Sequence, residues 1–598
     1  MSPRPDGRGP DQARVPNQDR NEFEMTPRPR PATLTELLEA RRGAPGRYVA
    51  YSPSGARSLS FAEVAEESAA LASGLRAVAP PPGSPDDIGN VVIALADPFA
   101  FITTFFAIAA AGGVAVPAPV RALVHPGHRS RILNIVKASR PSLVVTDEPQ
   151  VKGLTDALDG SDIPVISLDE LPRHGSGAPG ELARTSPTAY VQYTSGSMAD
   201  PKPIALRHDH VLAQLRQAAH AFGETADSVS VNWVPLYHDM GLVTSVLRPL
   251  WSGYSSVILD PFDFVRNPSL WPEAMSAWHA THTSAPDFGY ALCAQRTADP
   301  GRYDLGSLRV ARTAGEVVRP ETLSLFSDAF GPAGFRRSAF KPSYGLAEAT
   351  LTVTTCPLDE APTVLTVSRS GLRAGSVDRP NDAGDTMELV ACGPPVRDTS
   401  VWIAAPDGTP LEGEGRIGEV WISGPQVAEA DDAGAGGDHL SGARGRGTGD
   451  IGFLSGGQLA LLGRSRERFQ VRGENYYSGE IEAAVSQSDE RLRLGRTAVF
   501  LSHGTEPGGS LLVVLAELRQ GHENVDAAGR AELTRKITRL LSSVHSLSPG
   551  RILLLPAGTL PVTTSGKLQR EACRTWFEDQ GSGPLPAPSE HDERLKGS

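Results

Sequence analysis

Residues 189–202 read AYVQYTSGSMADPK, an apolar run followed by a glycine, several hydroxyls and a lysine. The run has the composition of a strand, and the stretch after it has the composition of a phosphate-binding loop. Glycine lets backbone N–H groups approach an anion, hydroxyls donate hydrogen bonds, and lysine adds positive charge. The spacing is not that of the Walker A motif, so no P-loop nucleotidase is indicated. A Ser/Gly turn that binds nothing is the alternative interpretation.

Short apolar runs alternate with helix-length amphipathic stretches on both sides of this loop. Strand-like runs lie at residues 90–96, 142–146, 164–168, 229–234 and 256–259, and a helix is predicted over 99–111. Such alternation is typical of βαβ units, so the predicted fold class is α/β with parallel sheet. The uncharged span from Pro98 to Val120 is long enough to cross a membrane, but its internal glycines and prolines favour a buried helix and strand.

The overall charge limits the classes of partner. The chain has 598 residues, with 57 Lys and Arg against 69 Asp and Glu, giving a net charge of −12. This balance argues against nucleic acid or an anionic membrane as a general partner, because both require a basic surface. The four scattered cysteines and the absence of an apolar N-terminal segment lead us to expect a cytoplasmic protein.

Composition also predicts the domain organisation. Residues 1–30 and 581–598 are polar and rich in proline, so we expect disordered tails there. A Gly/Asp/Arg stretch at residues 430–447 predicts a loop. The region after it contains strand-like runs at 458–462, 497–502, 510–517 and 551–555 and an amphipathic helix at about 531–544. We interpret it as a small α+β domain.

Further motifs carry residue types suited to nucleotide chemistry. Residues 233–242 read WVPLYHDMGL, where the histidine beside an aspartate fits either a site or a helix entry packed by aromatics. Residues 343–350 read SYGLAEAT, whose carboxylate could hold Mg²⁺ against phosphate oxygens or pair with a helix dipole. TGD at 448–450, GR at 463–464 and RGEN at 472–475 follow. Lys567 lies in a glycine-containing loop, where a solvated charge is the alternative.

In order and spacing, these motifs resemble the adenylate-forming ligase superfamily, which activates carboxylic acids with ATP, over residues 32–577. Within it the chain is most similar to the fatty acyl-AMP ligases. That likeness is carried by LYHDMGL at 236–242, by SAPDFGYALCAQR at 284–296, and by a segment between Leu351 and Cys392 that is longer than in acyl-CoA ligases.

The resemblance implies a large adenylation domain of parallel and mixed sheets at 31–463, with a family-type insert at 351–390. A hinge at 464–468 and a small mobile α+β domain at 469–580 would follow. ATP and Mg²⁺ are the implied cofactors, and a fatty acid is the implied substrate. The implied partner is a separate acyl carrier protein with a phosphopantetheine thiol. No nucleic acid and no integral membrane association are expected.

The resemblance also assigns roles to single residues. Lys567, Glu348 and His238 are the expected catalytic residues, and Glu348 is also the expected metal ligand. The expected ATP-binding residues are Thr194, Ser195, Gly196, Ser197, Lys202, Ala314, Gly315, Glu316, Ser343, Tyr344, Gly345, Leu346, Ala347, Asp450 and Arg464. Glu467 would be the hinge acid. The acyl pocket would include Trp233, Pro286 and Phe288.

The chain departs from the family pattern at a few positions. In the phosphate loop, Met198 and Ala199 replace a hydroxyl residue and a glycine, and Pro203 replaces a glycine. After the hinge, Arg468 and Gln470 replace apolar residues, which predicts a looser first strand of the small domain.

Two other functions therefore stay open beside the fatty acyl-AMP ligase. One is a long-chain acyl-CoA ligase that uses the same first step, which the insert argues against. The other is a degenerate ligase that acts as a binding or scaffold protein, which the altered phosphate loop favours.

Overall fold

A computed structural model describes residues 31–79, 87–119, 126–158, 160–172, 186–193, 202–429, 439–440, 443–503, 510–522, 525–562 and 568–580. Both predicted tails, the predicted phosphate-loop residues Thr194, Ser195, Gly196 and Ser197, the loop substitutions Met198 and Ala199, and Lys567 lie outside the described residues.

The elements of the first half, in chain order, are α1 (Leu34–Arg41), β1 (Arg47–Ser52), β2 (Gly55–Ser60), α2 (Phe61–Val78), β3 (Asn90–Ala94), α3 (Pro98–Ala110), β4 (Val114–Pro117), α4 (Pro126–Ser139), β5 (Leu143–Thr146), α5 (Glu148–Ala157), β6 (Val165–Ser167), β7 (Thr188–Tyr193), β8 (Pro203–Arg207), α6 (His208–Ala221), β9 (Val229–Asn232), α7 (Asp239–Leu242), α8 (Arg248–Ser252), β10 (Ser255–Leu259), α9 (Pro261–Arg266), α10 (Leu270–Ala277), β11 (His282–Ala285) and α11 (Asp287–Arg296). A π-helical turn, Val243–Leu247, joins α7 to α8.

The elements of the second half are β12 (Val310–Thr313), α12 (Pro320–Phe330), β13 (Phe340–Gly345), β14 (Thr352–Thr355), β15 (Val364–Ser368), α13 (Arg369–Ala374), β16 (Thr386–Val390), β17 (Ser400–Ala404), β18 (Gly418–Ser423), β19 (His439–Leu440), β20 (Ala443–Arg444), β21 (Arg446–Ser455), β22 (Gln458–Arg464), β23 (Arg468–Val471), β24 (Glu474–Tyr477), α14 (Ser478–Gln487), β25 (Leu492–His503), β26 (Ser510–Leu518), α15 (Ala527–His545), β27 (Arg551–Leu555) and α16 (Arg570–Gln580).

Two large sheets dominate the first 355 residues and confirm the α/β prediction. One has the order β6-β5-β3-β4-β7-β8, and the other has the order β14-β13-β12-β11-β9-β10-β1-β2. Their interior pairs are parallel, while β8, β2 and β14 pair antiparallel at the edges. Residues 91–94 of β3 are all buried, as expected for a parallel strand covered on both faces.

The uncharged span from Pro98 forms α3 and β4, as the internal glycines and prolines predicted. Asp97 caps α3 by accepting hydrogen bonds from the backbone N–H groups of Phe99 and Ala100. Pro98 occupies the first helical position, where a missing N–H does no harm. In the part of the chain that the structure describes, no helix is both long and apolar enough to span a membrane.

A four-stranded antiparallel sheet follows in the order β17-β18-β21-β22. Gly456 and Gly457, with φ of 57° and 72°, form the two-residue turn between β21 and β22. Positive φ at both positions matches the hairpin turn that suits strand twist. The strand expected at 458–462 is confirmed as part of β22, and the hairpin pairs it with β21.

Residues after the predicted hinge have hydrophobic clusters of their own. One side of the sheet β25-β26-β27 packs on α14 and α15 through Val499, Val514 and Ile537, and another cluster joins Leu515 to Cys573 of α16. β23 is formed despite its two polar residues, because Arg468 and Gln470 are exposed while Phe469 and Val471 pack inward. The domain boundary at 464–468 stays a prediction.

The predicted insert at 351–390 contains β14, the β15–β16 hairpin and α13, and it contacts elements after the hinge. The guanidinium of Arg369 pairs with the carboxylate of Glu480 at the start of α14. Arg373 donates to the carbonyl of Val544 at 2.9 Å. Asn475 donates in turn to the carbonyl of Arg373 at 3.2 Å. The insert, which precedes the predicted hinge, thus contacts residues that follow it.

Candidate active site

An aspartate, a tyrosine and an arginine that the sequence assigned to nucleotide binding meet at the start of the β21–β22 hairpin. The Tyr344 hydroxyl donates to Oδ2 of Asp450 at 2.6 Å, and Nε of Arg464 lies 3.4 Å from Oδ1. Asp450 and Arg464 are register partners, so the hairpin itself sets their proximity. Burial raises the pKa of Asp450, although Arg464 and the Tyr344 hydroxyl partly oppose it. The group can accept hydrogen bonds from paired hydroxyls of a ligand.

Glu348 lies beside this group on a short 3₁₀ turn after β13. Its charge acts on Asp450, which places the two carboxylates in one electrostatic neighbourhood. Arg446 approaches the Glu348 carboxylate at 3.9 Å, a contact that the sequence analysis missed although RGRGTGD at 444–450 contains it. The chain can turn sharply here because Gly345 has no side chain: a Cβ would lie 1.8 Å from the carbonyl oxygen of Leu351.

Residues of the predicted adenine pocket follow the C-terminal ends of β12 and β13. Ala314 donates its N–H to the Ala285 carbonyl at 3.3 Å, and Gly315 has a φ of 85°. Oε1 of Glu316 is buried without a hydrogen-bond partner among the described residues. The Ser343 hydroxyl contacts Thr355 Oγ1 at 2.7 Å, so that side chain is engaged within the sheet.

Two further predicted ATP-binding residues, Leu346 and Ala347, form the turn after Gly345. Leu346 donates its N–H to the Leu351 carbonyl at 2.9 Å, and Ala347 accepts the Thr350 N–H at 2.9 Å. These contacts close the turn that presents Glu348.

His238 caps the N-terminus of α7 at the other side of the site. Its Nδ1 accepts the backbone N–H of Met240 at 3.3 Å and lies 2.5 Å from Oδ1 of Asp239. Gln192 of β7 donates to the Tyr237 carbonyl at 3.0 Å. This contact ties the strand that precedes the predicted phosphate loop to the histidine segment.

The predicted acyl-pocket residues form part of an aromatic cluster. The Trp233 ring stacks on Phe264 with centroids 3.9 Å apart and meets the Phe288 ring edge-on at 5.8 Å. Pro286 is the residue that precedes α11. Trp233 and Phe288 are thus brought together, and their rings pack on the main hydrophobic core.

The predicted hinge acid is held by a cation that the sequence analysis did not single out. Arg570 of α16 contacts Glu467 at 2.9 Å and Glu482 at 2.7 Å. Burial lowers the pKa of Arg570, but the two carboxylates outweigh it and the pKa is raised. Lys202, by contrast, is exposed at the start of β8, next to the exposed Pro203.

The described residues suit Mg²⁺ only if substrate oxygens supply the other ligands. No group of three or more His, Cys, Asp or Glu side chains that could hold a metal occurs among them. Magnesium in phosphate sites is commonly bound by one or two carboxylates together with substrate oxygens. Glu348, partly exposed on its turn, meets that requirement as a single carboxylate ligand.

Comparison with known proteins gives concordant results. The family model described as AMP-binding enzyme matches residues 38–430. A medium-chain fatty acid–acyl carrier protein ligase, JamA of Moorena producens, is 32% identical, covering 92% of this chain and 96% of that protein. A 4-hydroxyphenylalkanoate adenylyltransferase of Mycobacterium marinum is 31% identical, covering 80% of each chain.

A solved structure from a study of fatty acyl-adenylate ligases of E. coli and L. pneumophila superimposes with a TM-score of 0.81. It is 26% identical and covers 92% of this chain and 98% of that chain. The resemblance drawn from the motifs is therefore confirmed. This chain belongs to the family of AMP-binding enzymes and is an AMP-forming ligase.

Proposed function

We propose that the chain activates a fatty acid with ATP and passes the acyl group to the phosphopantetheine thiol of a separate acyl carrier protein. The observation that carries the proposal is the meeting of Tyr344, Asp450 and Arg464 beside Glu348. The likeness to JamA over 96% of its length supports the fatty acid and the carrier protein as substrates.

In the first step, a carboxylate oxygen of the acid attacks the α-phosphorus of ATP. The bond from that phosphorus to the bridging oxygen breaks, and pyrophosphate leaves. In the second step, the carrier thiol attacks the acyl carbon, AMP leaves, and the thiol proton passes to solvent. Asp450 accepts hydrogen bonds from the ribose hydroxyls, with Arg464 beside it, and His238 borders the reacting carboxylate.

Lys567 shields the two anions that must meet in the first step. Two unit charges about 4 Å apart repel by roughly 4 kcal/mol at an effective dielectric constant near 20. A cation that contacts both partners best in the transition state removes this barrier. Mg²⁺ bound through Glu348 would neutralise charge on the phosphate oxygens.

Cysteine chemistry supports the proposed compartment, and net charge supports the partners that we exclude. All four cysteines are buried free thiols, which supports a reducing compartment such as the cytoplasm. The net charge of −12 supports a protein that does not bind nucleic acid.

Pyrophosphate release tests the proposal against the scaffold alternative. With ATP, Mg²⁺ and a panel of acids, the wild-type protein should release pyrophosphate, and Lys567→Ala should lower the rate ~10²–10³-fold. Lys152→Ala, which removes an exposed lysine of α5, is the matched control. If no acid gives a rate above that of Lys567→Ala, the protein is a degenerate ligase and the proposal fails.

An acyl-CoA ligase remains the second candidate because the first step is the same. The contacts of Arg369 and Arg373 with residues beyond the hinge argue against it. They tie the insert to residues of the small domain, as the resemblance implies for a segment that hinders the CoA-dependent step.

A further inference from the structure

A buried arginine in the middle of β12 lacks partners for most of its guanidinium group. Arg312 is 1% exposed, and its Nη1 donates to the Ser284 hydroxyl at a long 3.3 Å. Nε and Nη2 have no hydrogen-bond partner among the described residues. An unpaired charge of this kind costs several kcal/mol when it is taken out of water. Packing therefore gives no reason for an arginine at this position.

The register of the sheet gives the face on which Arg312 lies. Ser284 of β11 and Lys341 of β13 are its partners, so their side chains share its face. The opposite face carries Ala311 and Phe340, and the Phe340 ring packs on the aromatic side chains of α11 and α12. The Arg312 face instead lies near the π-helical turn between α7 and α8. Asn232 of β9, in the same row as Ser284 and Arg312, donates to the Thr244 carbonyl of that turn at 3.4 Å.

This face borders the predicted active site. Arg312 precedes Ala314 by two residues, or roughly 6–7 Å along a strand. Its guanidinium also interacts electrostatically with Asp239, the neighbour of His238. Arg312 thus lies near both the predicted adenine segment and the segment that carries His238.

The charges on this face leave a positive excess. Arg248 has a carboxylate partner in Glu224, and the Lys341 ammonium donates to the carbonyls of Pro357 and Glu360 at 2.8 and 2.7 Å. Burial, followed by repulsion from Arg248, lowers the pKa of Arg312 to about 9. The guanidinium therefore stays positively charged at neutral pH. An anion is the complementary ligand, and a carboxylate matches two adjacent N–H donors.

We propose that Arg312 binds a second carboxylate on the acyl chain, so that the preferred substrate is a dicarboxylic acid adenylated at one end. The inference rests on the proposed function, because it assigns the acid that the same site activates. A plain alkanoic acid would leave the guanidinium unpaired. The bound diacid would fill both unpartnered nitrogens with one charged group.

The test compares diacids with alkanoic acids of equal length in pyrophosphate release by the full-length protein. The wild-type protein should prefer the best diacid by at least ~10-fold in kcat/KM. Arg312→Met should lower kcat/KM for that diacid ~10²–10³-fold and raise it for the alkanoic acid, which inverts the preference. Arg312→Lys should keep part of the preference.

Lys341→Met is the matched control, because it removes a buried positive charge from the same face. It should leave the ratio of diacid to alkanoic acid rates unchanged. A wild-type preference for alkanoic acids would overturn the proposal. So would an Arg312→Met variant that loses activity equally on both acids, since Arg312 would then position the reacting carboxylate or serve the fold.

Binding without catalysis separates this proposal from the proposed function. A diacid should raise the thermal unfolding midpoint of the wild-type protein and not that of Arg312→Met, whether or not pyrophosphate is released. Stabilisation with no turnover would contradict the ligase proposal and support the diacid site. Equal stabilisation of both proteins, or of neither, would overturn the diacid site.

Discussion

Arg248 and Arg312 are both buried on the same side of the large sheet, yet their surroundings differ. Arg248 donates through Nε to Glu224 at 2.7 Å, and its guanidinium lies 4.4 Å from the centroid of the Phe222 ring. Glu224 also accepts the Tyr254 hydroxyl at 3.0 Å. Arg312 has one long hydrogen bond to Ser284. The first cluster is complete within the protein and stabilises it, whereas the second requires a ligand to become complete.

Removing the partner of Arg248 should produce the largest effect on stability. Glu224→Gln leaves a buried guanidinium without its carboxylate, and we expect a loss of roughly 3–5 kcal/mol in the free energy of unfolding. Denaturant titration measures it. Glu66→Gln, which removes the exposed partner of Arg42, should cost at most about 1 kcal/mol. Arg312→Met should instead leave stability unchanged or raise it. If Arg312→Met lowered the free energy of unfolding as much as Glu224→Gln does, the two arginines would not differ in their contribution to stability.

Asp287 is a buried acid and extends the comparison to carboxylates. It accepts hydrogen bonds from the Arg319 N–H and the Thr322 hydroxyl. Burial raises its pKa to about 7. The unfolded carboxyl titrates near 3.9, so the folded protein holds an extra proton between about pH 4 and 7. Stability therefore falls as pH rises through that window.

Asp287→Asn cannot lose this proton, so it should be more stable than the wild type at pH 8 by roughly 1–3 kcal/mol. The difference should disappear towards pH 4. Denaturant titrations at pH 5, 6.5 and 8 measure it, with the exposed Asp299→Asn as control. Parallel curves for wild type and Asp287→Asn would contradict the raised pKa.

The Arg369–Glu480 pair extends the comparison to an ion pair that joins the predicted insert to α14, beyond the predicted hinge. Arg369 also donates to the Thr386 carbonyl at 3.0 Å. Arg369→Gln should lower stability by roughly 1–3 kcal/mol, because both side chains are largely buried and Glu480 would lose its cation. It should loosen α13 from α14, and we expect acyl-CoA formation to rise several-fold over the wild type. Arg302→Gln, at an exposed 4.0 Å contact, should have no such effect. An unchanged yield of acyl-CoA in Arg369→Gln would show that this contact of the insert does not determine which thiol accepts the acyl group.

Strands and helices were largely predictable because their signals are local. The run at 551–555 became β27 with the same bounds, and the helix expected at 531–544 became the longer α15. The strand at 458–462 was also predicted from its composition, whereas its pairing with β21 depends on the Gly456-Gly457 turn.

The site was predictable only in part. Spacing suggested that Tyr344, Asp450 and Arg464 act together, and the β21–β22 hairpin brings them together. No periodicity could distinguish the paired Arg248 from the poorly paired Arg312, because their environments depend on residues that are distant in sequence. The same holds for Arg570, whose two carboxylates come from the hinge and from α14.

Arg570 also bears on the energetics of domain rotation. Glu482 and Arg570 both follow the proposed hinge, so they would travel together when the small domain turns. Of the two carboxylates, only Glu467 would have to release the shared guanidinium, and the Arg369–Glu480 pair across the hinge would also have to open. Ionic strength would then shift the balance between the adenylating and the thiol-accepting conformers without altering either binding pocket.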